Sequence, residues 1–379
     1  MHSTVLVRSA YLRILEREPD ADGLAHYTQM LEAGRATPDE VLRSIAESPE
    51  AREKESRAND DCADGPTRLE LSSRYTLPPT DTLNARPNLA VLCNGFNSMV
   101  DLAATLRDAL VTKTERLGAR DAWDFWVYNW RADAAATGLV PIPKTSHELH
   151  AVTHGQFIAK TILDRIAAFP QAYRHVHLVA HSLGGRVIES AAIVLSQAPR
   201  FRQGHATIHM TFLDAYTPHG WERVFGRHAA FAEHYYEVDS FTPFTQSLIA
   251  SAANVDVSAL LPPIDDDLSF IDEHKLRHQW PSDYYLGTIT GDIPRNSEHG
   301  FPLARESGVD GWPRRDHPPG KVTRLAENNS VEEVALVFQS YPVYFFSTQD
   351  CKSLPAPHRF SLSSALVSLH SRGVRFRGE

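Results

Sequence analysis

Cysteine is scarce. The three present in 379 residues, Cys62, Cys93 and Cys351, lie too far apart in sequence for a dense disulfide framework or a spaced metal site, so the fold must rest on packing. Long apolar runs are also missing. Stretches such as Leu89 to Cys93 fall far short of the roughly 20 residues that a membrane-crossing helix needs. No run rich in Lys and Arg occurs, and the formal net charge is -9, which argues against extended electrostatic contact with nucleic acid. Met1 to Val7 lacks the basic region, apolar stretch and small-residue cleavage site of a secretory signal. The expectation is a cytoplasmic protein or one exported by a signal-independent route, without a transmembrane segment.

What is present fits a folded globular chain. Hydrophobic residues make up 42% and charged residues 22%, and the length suits two or three domains. Near the start, Val7, Ala10, Tyr11, Ile14 and Leu15 recur at helical spacing. Leu24, Tyr27, Met30 and Leu31 repeat the pattern, with Asp20 or Asp22 as N-cap and Gly34 at the close. A third helix is signalled by the capping box Thr37-Pro38-Asp39-Glu40, followed by Val41, Leu42 and Ile45. From Arg52 to Pro87, Asp60-Asp61, Gly65-Pro66 and Pro78-Pro79 mark a linker, within which Leu69 to Tyr75 is a candidate edge strand. The expected division is a helical accessory module at 1–57, a linker or first edge strand at 58–86, a catalytic domain at 87–315 and a β-rich extension at 316–379.

The residues Arg17, Pro19-Asp20, Gly23-Leu24, Tyr27, Leu31, Gly34, Ser48 and Glu50 together resemble a bacterial domain of unknown function that is similar to phycobilisome linker repeats. The likeness implies an accessory module, a structural or docking bundle that offers a site for a partner.

Further on, short apolar runs alternate with helical patterns. Leu89 to Cys93 ends in Asn94-Gly95, Phe125 to Tyr128 follows, and a helix from about His150 to Phe169 carries Ile158, Ile162, Ile166 and Phe169 on one face. His175 to Ala180, Ile208 to Leu213, Tyr235 to Val238 and Val255 to Leu260 read as later strands. Strands of four to six residues between longer helices predict an α/β fold, a mostly parallel sheet with helices on both faces. Such sheets bind ligands at the carboxyl ends of their strands.

One strand end carries a distinctive sequence. Val179-Ala180-His181-Ser182-Leu183-Gly184-Gly185 joins a strand to a helix bearing Val187, Ala191, Val194 and Leu195. Small residues at 180 and 184 allow a sharp turn that strains Ser182 and exposes its hydroxyl, which is the context of a serine nucleophile. The following helix N-terminus adds partial positive charge, and the amide of Leu183 is aimed at a developing oxyanion. The stretch resembles the Ala-His-Ser-x-Gly elbow of some bacterial lipases in the α/β-hydrolase superfamily, although Ala180 departs from the commoner Gly.

That resemblance implies further roles. Asn94-Gly95-Phe96-Asn97-Ser98 is similar to the His-Gly-hydrophobic motif of lipases, making the Phe96 amide the second oxyanion donor, with Asn94 in place of the usual histidine. Asp214, ending Met210 to Leu213, looks like the triad acid of pancreatic-type lipases, and Asp239, after the next strand, holds the position more widespread in the superfamily. His278-Gln279-Trp280-Pro281 resembles the segment that carries the base and leads into a helix. His299 is the alternative base, and His274 and His317 are further late histidines. The implied activity is hydrolysis of a small-molecule ester or lipid through a Ser-His-Asp triad and an acyl-enzyme, with no cofactor and no metal. An acyltransferase, thioesterase or amidase on the same fold, or a non-catalytic docking protein, is the alternative.

Other signals are weaker. His147, His150 and His154 have helical spacing but no nearby cysteines, which favours a solvated face. His274 and His278 are four apart without the Glu of a zinc motif, and Asp265-Asp266-Asp267 reads as an acidic loop. Trp130, Trp221, Phe225, Phe241 and Phe244 fit an acyl pocket or ordinary core equally well.

Overall fold

The computed structural model describes most of residues 2–50, then 86–96, 101–134, 145–238, 245–293 apart from 266 and 269, 299–303, 319–326 and 331–335. The expected edge strand at Leu69 to Tyr75 and most of the linker lie outside these residues, as do Phe241, Phe244 and His317.

Near the N-terminus, α1 (His2–Ala10) and α2 (Ala21–Glu32) form as the apolar spacing requires. Asp20 is the N-cap of α2, its carboxylate accepting from the Gly23 amide. Val7, Ala10, Tyr11 and Leu15 join Val41 and Ile45 in a small core of their own. Arg17 reaches across 33 residues to Glu50 in a two-pronged ion pair, which ties the two ends of this module together.

The larger part is one eight-stranded sheet: β1 (Asn88–Cys93), β2 (Trp123–Tyr128), β3 (His175–His181), β4 (Thr207–Leu213), β5 (Phe231–Tyr236), β6 (Ala253–Asp256), β7 (Lys321–Leu325) and β8 (Val331–Ala335). Their order is β2-β1-β3-β4-β5-β6-β7-β8. The first seven pair in parallel, and β8 alone is antiparallel. Parallel pairing requires crossovers over the sheet, and these supply α3 (Leu102–Arg116), α4 (Thr145–Ala168), α5 (Gly184–Gln197) and α6 (Phe270–Thr290).

The helices cover both faces. Ile158 and Ile162 of α4 and Val187 and Ala191 of α5 pack on Val91, Leu178, Met210 and Phe212. Leu102, Leu106 and Leu110 of α3 and Tyr284, Tyr285 and Ile289 of α6 pack on Leu92, Val179, Leu213 and Tyr235. Every residue of β3 is buried, the consequence of cover on both sides. A sheet of this order, with a strand-turn-helix at β3, is the α/β-hydrolase fold.

Three expectations differ from the structure. β5 begins at Phe231 rather than Tyr235, because buried Glu233 and His234 break the apolar pattern in its first half. The segment from Val255 divides into β6 and a 3-10 turn at Ser258–Leu260. The boundary at 315/316 falls within one sheet, since β7 pairs in parallel with β6, Val255 opposite Thr323. The strand-rich end extends the main sheet instead of standing apart from it.

Candidate active site

β3 delivers Ser182 into a turn with φ 53°, and β4 delivers Asp214 at φ 44°. Among the described residues these are two of only three non-glycine residues in the left-handed region, a conformation costing roughly 1–3 kcal/mol that persists where surrounding structure enforces it. The enforcement is visible. The Ser182 amide donates to the Leu213 carbonyl at 3.0 Å and the Asp214 amide to the Tyr235 carbonyl at 2.8 Å, so each turn is stitched to the next strand. The Ser182 carbonyl accepts from Gly185 and from Tyr216.

The glycines around this turn are sterically required. A Cβ on Gly184 would lie 2.7 Å from the Asn94 carbonyl oxygen and 3.2 Å from the Ala180 methyl. Ala180 therefore fits where glycine is commoner because position 184 carries no side chain. On Gly95 a Cβ would meet His181 Nδ1 at 2.9 Å and Ser182 Cβ at 3.0 Å. The loop after β1 and the serine turn are thus in direct contact.

Asn94 holds that loop. Its side chain donates to Asp101 Oδ1 at 3.1 Å and accepts from the Ala103 amide at 3.0 Å, while its own carbonyl takes the Trp130 indole N–H at 2.7 Å. The substitution at this position keeps a fully bonded loop anchor, and Trp130 is part of that anchor rather than of an acyl pocket. Phe96 follows, half-buried, with its ring 4.8 Å from that of His147. Asn97 and Ser98 lie outside the described residues. Leu183 is the N-cap of α5, and its side chain is buried in the core.

The structure brings Asp214 and His278 together across 64 residues: Asp214 Oδ2 lies 2.5 Å from His278 Nδ1. Asp214 Oδ1 also accepts from the Glu237 amide at 3.3 Å. Asp214 is fully buried, whereas the His278 side chain keeps 18% of its surface exposed. Burial pushes His278 down to about 4, so its imidazole is neutral at neutral pH. The bond to the carboxylate works in the opposite direction, favouring the imidazolium when a proton does arrive. Asp239 lies outside the described residues. His299 is buried beside Gly300.

His278 sits inside α6, not ahead of a helix as expected from Pro281, because α6 starts at Phe270 and runs through the proline. Arg277, its neighbour, bonds Glu237 at 3.0 Å and Glu273 at 2.9 Å, pinning α6 to the end of β5. Neither Arg277 nor Glu237 was readable as a site residue, since nothing in the sequence marks a pair 40 positions apart. His274 is half-buried one turn before His278, with burial lowering its pKa.

A second histidine group lies elsewhere in the sheet. His177, His209 and Glu233, all buried, bring their ligating atoms within 4.8 Å of one another. The rings of His177 and His209 are stacked, 3.8 Å between centroids and 2° from parallel, so a single ion cannot lie in both ring planes as imidazole ligation needs. Hydrogen bonds join His177 to Glu233 instead: His177 Nε2 contacts Thr211 Oγ1 at 2.7 Å, which donates to Glu233 Oε1 at 2.5 Å, and Tyr235 donates to Glu233 Oε2 at 2.9 Å. His154, expected on a solvated face, is fully buried, held by Tyr128 Oη at 2.6 Å and Asp133 at 3.1 Å.

Residues 2–55 match a family described as a domain of unknown function (DUF4214). No curated protein matches the chain in sequence. Among solved structures it is similar to a Lactobacillus plantarum WCFS1 protein described as a cell surface hydrolase, at 9% identity over 65% of this chain and 85% of that one, with a TM-score of 0.28. It is also similar to the Trichoderma reesei cutinase in complex with a C11Y4 phosphonate inhibitor, at 15% identity over 66% of this chain and 93% of that one, also with a TM-score of 0.28. At these scores neither likeness bears on what this chain acts upon.

Proposed function

We propose that the chain is a serine hydrolase that cleaves carboxylic esters, with Ser182 as nucleophile, His278 as general base and Asp214 as the acid that orients it. The observation that carries this reading is the 2.5 Å contact between His278 Nδ1 and Asp214 Oδ2, formed where a strained turn presents Ser182. A carboxylate bound at Nδ1 fixes the tautomer whose Nε2 lone pair accepts a proton. His278 takes the Ser182 proton as the hydroxyl oxygen attacks the ester carbonyl. The negative charge that develops on the carbonyl oxygen is met by the amides of Leu183 and Phe96. Collapse breaks the bond to the alkoxy group, which leaves with the proton from His278, and an acyl-serine remains. Water then attacks that acyl group, gives a proton to the same histidine, and the carboxylic acid leaves as Ser182 recovers its proton.

The test is turnover of p-nitrophenyl esters of short and medium acyl chains. Wild type hydrolyses them, and Ser182→Ala loses at least about 10⁴-fold in kcat with its melting temperature preserved. Equal turnover by the two proteins rejects the assignment.

A further inference from the structure

His181, the residue before the serine, is spent on no step of that mechanism, yet it lies against both His278 and the loop after β1. Its ring is buried, with a centroid 4.5 Å from that of His278. Its Nε2 lies 3.0 Å from the backbone carbonyl oxygen of His278. A carbonyl only accepts, so Nε2 carries the proton and Nδ1 is the bare nitrogen. That nitrogen faces Gly95 of the loop after β1, close enough that a Cβ there would approach within 2.9 Å.

The carbonyl that receives this bond belongs to a weak point of α6. Pro281 has no N–H for the carbonyl of Arg277, four residues before it, and its ring crowds the turn that contains His278. A helix that runs through a proline lacks one rung of its own ladder there, and a bond from outside the ladder steadies that turn. His181 supplies a donor from β3, at the end of the strand that also carries Ser182.

We infer that His181 is a positioning residue: its Nε2–H bond to the His278 carbonyl fixes the base-bearing turn of α6 against the serine turn and so sets the Asp214–His278–Ser182 alignment. This rests on the esterase reading for its consequence in catalysis, but not for its geometry. Burial pushes the His181 imidazole down to about 3, aided by the neighbouring His278, so it stays neutral and places no charge against the imidazolium that forms during turnover.

Three variants separate donor from bulk. His181→Gln retains an N–H near the same reach, His181→Phe keeps a ring without a donor, and His181→Asn has an amide too short for the carbonyl. Two readouts are taken: kcat and KM on a p-nitrophenyl ester, and the low-field imidazole proton resonance of the His278–Asp214 bond, identified by its loss in Asp214→Asn. Phe and Asn are expected to lower kcat by roughly tenfold or more with KM within about twofold, and to broaden or shift the resonance, because small misplacements of a catalytic group carry large rate costs. Gln is expected to recover most of both. Should His181→Phe fail to fold, the Asn and Gln pair decides.

The inference is overturned if Phe or Asn keeps both kcat and the resonance, if Gln loses as much as Phe and Asn, or if the wild type shows no such resonance. A wild type that shows the resonance but hydrolyses no ester sinks the esterase reading alone, and the resonance then decides the role of His181.

Discussion

Two groups in the same sheet pair histidine with a carboxylate, and they differ in everything except composition. In the first half of β3, β4 and β5, His177, His209 and Glu233 are wholly buried on regular strands, and Glu233 takes donors at both oxygens, from Thr211 and Tyr235. At the carboxyl ends of β3 and β4, Asp214 and Ser182 occupy left-handed turns, and His278 reaches them from a helix with part of its ring exposed. Nearness of imidazole and carboxylate is therefore not the mark of a reactive site. On the proposed reading the mark is strain held in place by neighbours, an imidazole open to solvent on one side, and a histidine carried by a different element from its carboxylate. The first group has the economy of a fastener and the second the geometry of a proton relay.

The largest effect that would break this comparison is expected at Asp214. Asp214→Asn reverses the hydrogen bond at Nδ1, selects the wrong tautomer of His278 and lowers kcat by roughly 10³ to 10⁴-fold, measured on a p-nitrophenyl ester, with the fold retained. The matching change in the other group, Glu233→Gln, is expected to leave kcat within about twofold while destabilising the protein by about 1–3 kcal/mol in urea denaturation, because it weakens a buried network of charge-assisted bonds. A loss of rate in Glu233→Gln larger than in Asp214→Asn would invert the assignment.

Acid sharpens the contrast next. His181, His234 and His278 are held by burial at about 3, 4 and 4, below the ordinary histidine value near 6.5. Between pH 6.5 and about 4 the unfolded chain takes up protons that the folded chain refuses, so stability falls as pH falls through this window. The melting temperature is expected to drop by at least about 5 °C from pH 7 to pH 5. Over the same range kcat/KM stays on its plateau while the protein remains folded, since His278 in the free protein protonates only near the lower end. An acid limb of kcat/KM centred at 6.5 would contradict the burial of His278.

The smallest expected effect concerns Glu189 on α5, behind the serine turn. Its Oε2 accepts from the Gly226 amide at 2.8 Å, and burial pushes its carboxyl up to about 7. The folded state holds this proton between pH 4.5 and 7 where the unfolded chain has shed it, so Glu189 lowers stability as pH rises through that window. Glu189→Gln is expected to stabilise by about 1–2 kcal/mol at pH 8 and by nothing near pH 4.5, read by urea denaturation at the two pH values.

Legibility followed the same division. Strands covered on both faces announce themselves as apolar runs, so β1, β2, β3 and β4 stand within two residues of their expected limits. β5 was displaced because Glu233 and His234 are polar residues whose burial depends on partners in other strands. The strained turn at Ser182 was legible because such a turn needs small residues at fixed offsets within seven positions. The meeting of Asp214 with His278 needed the register of β4 and the course of α6, and no local spacing encodes either. Asn94 departs from the histidine of the resembled motif and is an anchor in the structure, since its two side-chain bonds go to the start of a helix seven and nine residues on. His181 was in plain view within the elbow, but its acceptor lies 97 residues away.

The central claim is that Ser182 is an activated nucleophile, and its most direct test is covalent labelling of the full chain with an alkyl fluorophosphonate, read by intact mass and by peptide mapping. The account predicts one phosphonyl group per chain, on the peptide containing Ser182, absent from Ser182→Ala and strongly slowed in Asp214→Asn. A folded wild type that gains no mass, or that is labelled on another residue at the same rate as Ser182→Ala, would contradict it.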